Sequence, residues 1–336
     1  MKREFDKKKI TNVLFGVAVF ILTANLVTGK LLKGRINSEK DELKSSEIEL
    51  HFKSALSNLG IKEGLLQRQQ GDGSPVKFSV QVPKDLPVVE ILQEMNYVFN
   101  PTEIEIRTVE NKIGGKTSVD FLSENEIRLY AELSYGSELS RKNVNVGFLV
   151  TRFEEENETD SLLLDFPEHF AVVLVPSKAS VEFAGKIIKK RNEYVIYLGD
   201  DIEELKYKLS EDYSVPRLKN SVREIVGSFP QAVFFLIDTH SALYKSKVYS
   251  LLKEEFRKRR ITLIEERDFK SLSGEEANNC LKLFSDILSD MEERENKVFL
   301  VSAEDFLNLN SVIIKYRKLG YRFTNPSSLL FKQAKK

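Results

Sequence analysis

The sequence is poor in the residues that build disulfides and soft-metal sites. It has one cysteine, Cys280, so no disulfide can form within the chain. Cys280 falls in a helical pattern and reads as a buried, inert thiol. The histidines are three: His51, His169 and His240. With so few imidazoles and one thiol, a His/Cys-rich metal centre is not expected, and no metal ligand or cofactor is assigned. A surplus of one charge is also missing, since 51 basic residues balance 51 acidic ones. Bulk electrostatic binding of nucleic acid needs a basic excess and is not expected. The motifs G-x-G-x-x-G and G-x-x-x-x-G-K-[ST] are absent, as is the G-x-S-x-G nucleophile elbow.

What is present is enough apolar material for two folded parts. The chain has 336 residues, 41% hydrophobic and 30% charged. Residues 10–29 (ITNVLFGVAVFILTANLVTG), from Ile10 to Gly29, carry no charge. A helix of that length spans a bilayer core of about 30 Å. Lys2, Arg3, Lys7, Lys8 and Lys9 precede it, and no clean cleavage site follows, so the run reads as an uncleaved anchor. Lys30, Lys33, Arg35, Lys40 and Lys44 flank the other end, so the charge count is a tie. The compact basic tail with its free amine is placed in the cytoplasm. The bulk of the chain is then expected outside it, on the periplasmic side.

Four segments follow from the pattern. Residues 1–35 are tail and anchor. Residues 36–72 read as a stalk helix and linker, with Leu43, Leu50, Phe52, Leu56, Leu59 and Leu66 in a loose helical stripe. Residues 73–140 read as a small α+β domain in β-α-β-β-β order, with Pro87 opening its helix and Gly114-Gly115 turning a hairpin. Glu103, Glu105 and Glu110 read as a solvated face. A contact with a protein partner is the expected use of such a domain.

Residues 141–336 alternate regularly. Strands are expected at 144–150, 170–175, 194–198, 232–237, 261–265 and 298–302, with a short one at 321–324. Amphipathic helices are expected at 180–190, 248–256, 281–291 and 312–319. The runs GFLV and AVVLV lack polar alternation, the mark of strands buried on both faces. Strand-helix alternation calls for parallel pairing. The fold class expected is α/β: an irregular (β/α)6-7 barrel behind a small α+β domain and a single transmembrane helix.

Ligands of such sheets bind beyond the strand C-termini. Those ends carry Thr151, Arg152, Pro176, Ser177, Gly199, Asp200, Asp238, Thr239, His240, Glu265, Glu266, Arg267, Ser302, Glu304 and Asp305. Catalytic candidates are Asp238, His240 and Glu265. Ligand-binding candidates are Arg152, Asp200, Asp238, Glu265 and Asp305. The acidic triplet Glu154-Glu155-Glu156 reads as a solvated turn.

From about Asn143 to Phe323 this order resembles the divergent polysaccharide deacetylase family. The strand ending Val175-Pro176 and the lead-in Phe229-Pro230-Gln231-Ala232-Val233 carry the likeness. The resemblance implies an irregular βα barrel and metal-assisted removal of acetyl groups from carbohydrate. It also implies polar strand tips that this chain has changed. Paired Asp of the first strand are replaced by Thr151-Arg152. The Pro-Met segment of the third is replaced by Tyr197-Leu198-Gly199-Asp200, and Asn-His-Met-Gly-Ser by Asp238-Thr239-His240-Ser241. Asp-Ser is replaced by Glu265-Glu266, and the late His by Ser302. An Arg where an ion or its base should sit is repulsive. Three readings stay open. One is a degenerate deacetylase that binds envelope glycan. Another is an active hydrolase with a rebuilt cluster. The third is a structural component of an envelope complex.

Overall fold

The computed structural model describes residues 45–69, 75–110, 112, 114–153, 163–272 and 277–331. The anchor at residues 10–29 and the triplet at 154–156 lie outside the described residues. Among the described residues no helix is long and apolar enough to cross a membrane. The chain divides into two compact units near residue 139.

The first unit differs from expectation at its start. Helix α1, Ser45–Asn58, is not a free-standing stalk: Ile48, Phe52, Ala55 and Leu56 are buried along one face. The Phe52 ring lies 5.2 Å from Phe78 and 5.6 Å from Phe121. The stripe was visible in the sequence, but its burying partner lies far along the chain. Strand β1, Leu66–Gln69, also joins this unit, pairing with β2, Val76–Val82. Then come α2 (Val88–Phe99), β3 (Glu105–Glu110), β4 (Thr117–Ser123) and β5 (Glu126–Tyr135). The sheet order is β1-β2-β5-β4-β3, with only β2 and β5 parallel. Phe78, Val80 and Val82 alternate inward, as do Leu129, Ala131 and Leu133. Helix α2 buries Ile91, Met95 and Phe99, one turn apart, on the same core. Gly114, with φ 70°, supplies the left-handed turn residue between β3 and β4.

In chain order, the second unit is β6 (Asn145–Thr151), β7 (Ala171–Leu174), α3 (Lys178–Lys189), β8 (Glu193–Leu198), α4 (Val215–Ser228), β9 (Phe235–Ile237), α5 (Ala242–Lys245), α6 (Val248–Lys258), β10 (Leu263–Glu265), β11 (Lys270–Ser271), α7 (Ala277–Asp290), β12 (Asn296–Ser302), α8 (Ala303–Asn308), α9 (Asn310–Lys318), β13 (Arg322–Phe323) and α10 (Pro326–Leu330). The sheet order is β10-β9-β8-β7-β6-β12-β11, and β13 pairs β6 beside the start of that strand. Every pairing in it is parallel. The two outermost strands, β10 and β11, are joined by a short turn, Glu266–Asp268, and Phe269. The sheet therefore curls. The expected α/β architecture is met as a curled parallel sheet, a half-barrel.

The inner strands, β6, β7, β8, β9 and β12, have two buried faces. Phe148, Val150, Val172, Leu174, Ile196, Ile237, Phe299 and Val301 join the larger cluster, under the helices. Leu149, Val173, Val195, Phe234, Leu236, Val298 and Leu300 form a second, smaller cluster on the concave face. That two-sided burial explains the unbroken apolar runs. At the strand N-termini, Leu329 of α10 rests against the concave face. A Cβ on Gly147 would come within 3.1 Å of its Cδ1, so glycine leaves room for this helix. Helix α4 was not expected. Its stripe Leu218, Val222 and Ile225 is interrupted by Ser221 and begins behind Pro216.

One charged group ties two of these helices. Glu255 of α6, with its side chain 7% exposed, accepts from Arg259 at 2.8 Å and Lys258 at 3.2 Å, and pairs with Lys219 of α4 at 3.7 Å. The Arg259 hydrogen bond, then Lys258, hold its carboxyl down at about 2. A lowered pKa stabilises the fold above the ordinary value of 4.5, and that stability disappears as pH falls toward about 2. In Glu255→Gln the loss of denaturant midpoint between pH 5 and pH 2.5 is expected to be clearly smaller than in the parent. An unchanged acid limb would remove this assignment.

Candidate functional site

The C-terminal ends of the strands bring some candidates together and separate others. Side-chain parity decides which. On β9, Leu236 faces the concave side, so Asp238 two residues on does too. On β10 the concave residue is Ile264 and Glu265 pairs in register with Ile237, whose side chain is under the helices.

Glu265 is thus turned away from the mouth, which corrects its place among the candidates. It accepts from Tyr244 Oη at 2.8 Å and Tyr249 Oη at 3.4 Å, and Arg267 lies at 2.6 Å. The Tyr244 bond, then Arg267, hold its carboxyl below the ordinary range. Burial, then the Glu265 charge, push the Tyr249 phenol up to about 12.

Asp200 and Asp305 both serve helix starts. Asp200 Oδ2 accepts from the Ala242 N–H at 2.8 Å, at the start of α5. Asp305 sits in the first turn of α8, where its N–H donates to Ser302 Oγ at 3.1 Å and its Oδ2 accepts from that hydroxyl at 2.7 Å. His240 is exposed; its N–H donates to Asp238 Oδ1 at 2.7 Å, an Asx turn that leads into the Ser241 cap of α5. Thr151 Oγ1 donates to the Val301 carbonyl at 3.3 Å. Arg152 is exposed with φ 55° and borders a separate pocket of about 280 Å³ with Phe153, Ser177 and Phe183. Arg152, Asp238 and Glu265 do not converge.

What does converge is a group only partly anticipated: Tyr197, Asp201, Asp238 and Glu266. Tyr197 reaches along the concave face, and its Oη donates to Glu266 Oε2 at 3.1 Å. Burial, then the Asp238 charge, raise the Glu266 carboxyl above its ordinary range, against the Tyr197 bond. The neighbouring Asp238 carboxyl disfavours a second negative charge there. Burial, then Asp238 and Asp200, raise Asp201 as well. Burial, then Glu266, raise the Tyr197 phenol. Gly199 sits among them; a Cβ there would lie 2.7 Å from Asp201 Oδ1 and 3.1 Å from Tyr197 Cε1. Strand parity was the signal that could have favoured Glu266 over Glu265. Nothing in the sequence pointed to Asp201, which follows the strand in an irregular turn.

These residues do not fit a divalent metal ion. Among the described residues no group of three His, Cys, Asp or Glu is placed to hold one. The first strand offers a hydroxyl engaged with a carbonyl and a guanidinium, neither an anionic donor.

No family model matches the chain, and no curated protein matches it. Solved structures of CE4 family proteins are similar to it. A mutant CE4 family pseudoenzyme with restored enzymatic activity aligns at 14% identity over 67% of this chain and 91% of that one, with TM-score 0.39. The catalytic domain of a peptidoglycan N-acetylglucosamine deacetylase from Eubacterium rectale aligns at 10% identity over 56% and 91%, with TM-score 0.39. A Streptococcus mutans CE4 esterase aligns at 13% identity over 55% and 86%, with TM-score 0.38.

The cysteine lies apart from this group, in α7, and is buried. Burial, then Asp305, push its thiol up to about 11. Reaction of Cys280 with a disulfide reagent at pH 8 is therefore expected only on the timescale of unfolding. Labelling of the native chain as fast as of the denatured chain would contradict this placement.

Proposed function

We propose that this chain is a membrane-anchored, extracytoplasmic, divergent polysaccharide deacetylase-like protein that binds cell-envelope carbohydrate without metal-dependent hydrolysis. The anchor is the charge-free run at residues 10–29, and the binding end is the C-terminal mouth of an irregular βα barrel. The observation that supports this most is the Tyr197–Glu266–Asp238 network. Glu266 accepts from Tyr197 and Asp238 from the His240 N–H, and their remaining carboxyl oxygens keep acceptor positions in a partly desolvated corner. Sugar hydroxyls are donors suited to such acceptors, and a carboxylate strengthens each bond. The other acidic strand-end candidates are engaged in helix caps or face outward, which leaves the mouth equipped to hold a ligand rather than an ion.

A hydrolase with a rebuilt acid–base pair is the second reading. It is favoured by the raised Glu266 carboxyl, since a carboxyl that holds its proton suits the acid role. One experiment separates them. The full-length chain in detergent is mixed with N-acetylglucosamine oligomers, and binding, acetate release and bound zinc are measured. Binding without acetate, weakened about tenfold in Asp238→Asn, is expected. Stoichiometric zinc and acetate release, both lost in His240→Ala, would overturn the binding reading. Absence of binding would overturn both.

A further inference from the structure

We infer that the N-terminal end of the curled sheet carries a second binding site, for an anionic saccharide. Asn296, Asn145 and Arg322 stand in register across three neighbouring parallel strands, β12, β6 and β13. Equal register sends their side chains to one face, in a row. Asn145 Nδ2 donates to Asn296 Oδ1 at 2.8 Å, which leaves the Asn296 amide hydrogens and the Asn145 carbonyl for a ligand. Arg322 is exposed, and no carboxylate among the described residues pairs with it. The row borders a cleft of about 510 Å³ that His169 and Arg317 also line, with Leu329 on its apolar side. That volume is within the roughly 300–1,000 Å³ of small-ligand sites.

The charge of the cleft is one-sided. Neither Asp nor Glu lines it. Glu168, close by, is buried and engaged by Arg317 Nη2, which leaves the rest of that guanidinium available. Glu193 is held by Ser327. The Arg322 guanidinium, with the N–H groups that Arg317 keeps beyond its pairing to Glu168, therefore suits a carboxylate or phosphate. Side-by-side amides add a free donor and a free acceptor for sugar hydroxyls, more than a bare oxyanion needs. An anionic saccharide, either a uronate or a sugar phosphate, meets both demands.

This site is at the opposite end of the strands from the Tyr197 group, so its fate does not depend on that reading. The test is calorimetry on the full-length chain in detergent with a uronic acid trimer, a glucose 6-phosphate, a neutral glucose trimer and inorganic phosphate. The uronate or the sugar phosphate is expected to bind at least about tenfold tighter than the neutral trimer. Arg322→Gln is expected to weaken that binding about tenfold. Asn296→Asp still accepts the Asn145 hydrogen bond but adds a negative charge, and it is expected to abolish binding while circular dichroism stays unchanged. The inference is overturned if neither anionic sugar binds, if Arg322→Gln binds as the parent does, or if inorganic phosphate binds as tightly as the sugars.

Discussion

Phe148→Ala is expected to lower the stability of the C-terminal unit by about 3–5 kcal/mol, the range for truncating a buried phenylalanine. Phe148 is fully buried at the centre of β6. Its ring lies 4.9 Å from Phe306, 5.6 Å from Phe284, 6.0 Å from Phe323 and 6.3 Å from Phe299. One side chain therefore joins two helices, α7 and α8, to two strands, β12 and β13. Its removal leaves a cavity whose walls belong to several different elements, so no single shift can fill it. Phe148→Leu keeps most of the volume and is expected to cost less than about 1.5 kcal/mol. Denaturant unfolding of both variants checks the pair. A loss below 1 kcal/mol in the alanine variant would show that this aromatic cluster is not the centre of the unit.

Arg317→Met is expected to destabilise by about 3 kcal/mol, because it leaves a buried carboxylate without its cation. The Glu168 side chain is 2% exposed, and Arg317 Nη2 contacts both of its oxygens. Arg317 is itself half-exposed, with its guanidinium over the Phe323 ring, so water can partly replace it; hence the lower end of the range. The double variant Glu168→Leu/Arg317→Met removes both charges and is expected to recover most of the loss. Thermal and urea unfolding of the two singles and the double give the coupling. If Arg317→Met stays within 1 kcal/mol of the parent, the buried carboxylate is being satisfied by something else.

Much of this fold was readable because buried parallel strands announce themselves. The runs around Phe148 and Val172 have no polar alternation, and both of their faces are buried. The readable part stopped where burial depends on distant partners. The stripe of α1 looked like a stalk because Phe78 and Phe121, which cover Phe52, come well after it in the chain. At the mouth the sequence marks strand ends but not directions. Asp238 was identified and does face the concave side. The strand-end pattern favours Glu265 over Glu266, although one residue decides between Tyr244 on one side of the sheet and Tyr197 on the other. Asp200 and Asp305 are acids of the expected kind whose oxygens serve backbone and hydroxyl groups at helix starts. Composition cannot distinguish a capping carboxylate from one that awaits a ligand.

The passage from β10 through Glu266–Asp268 to β11 leaves the second unit's sheet with little open border. Open parallel sheets present two raw borders of unpaired amides, each a template for another chain. Here both borders belong to one short segment, three residues long on one side and two on the other. Neither offers a run long enough for a neighbouring molecule to extend, so the curl guards its own rims against fibril-like growth.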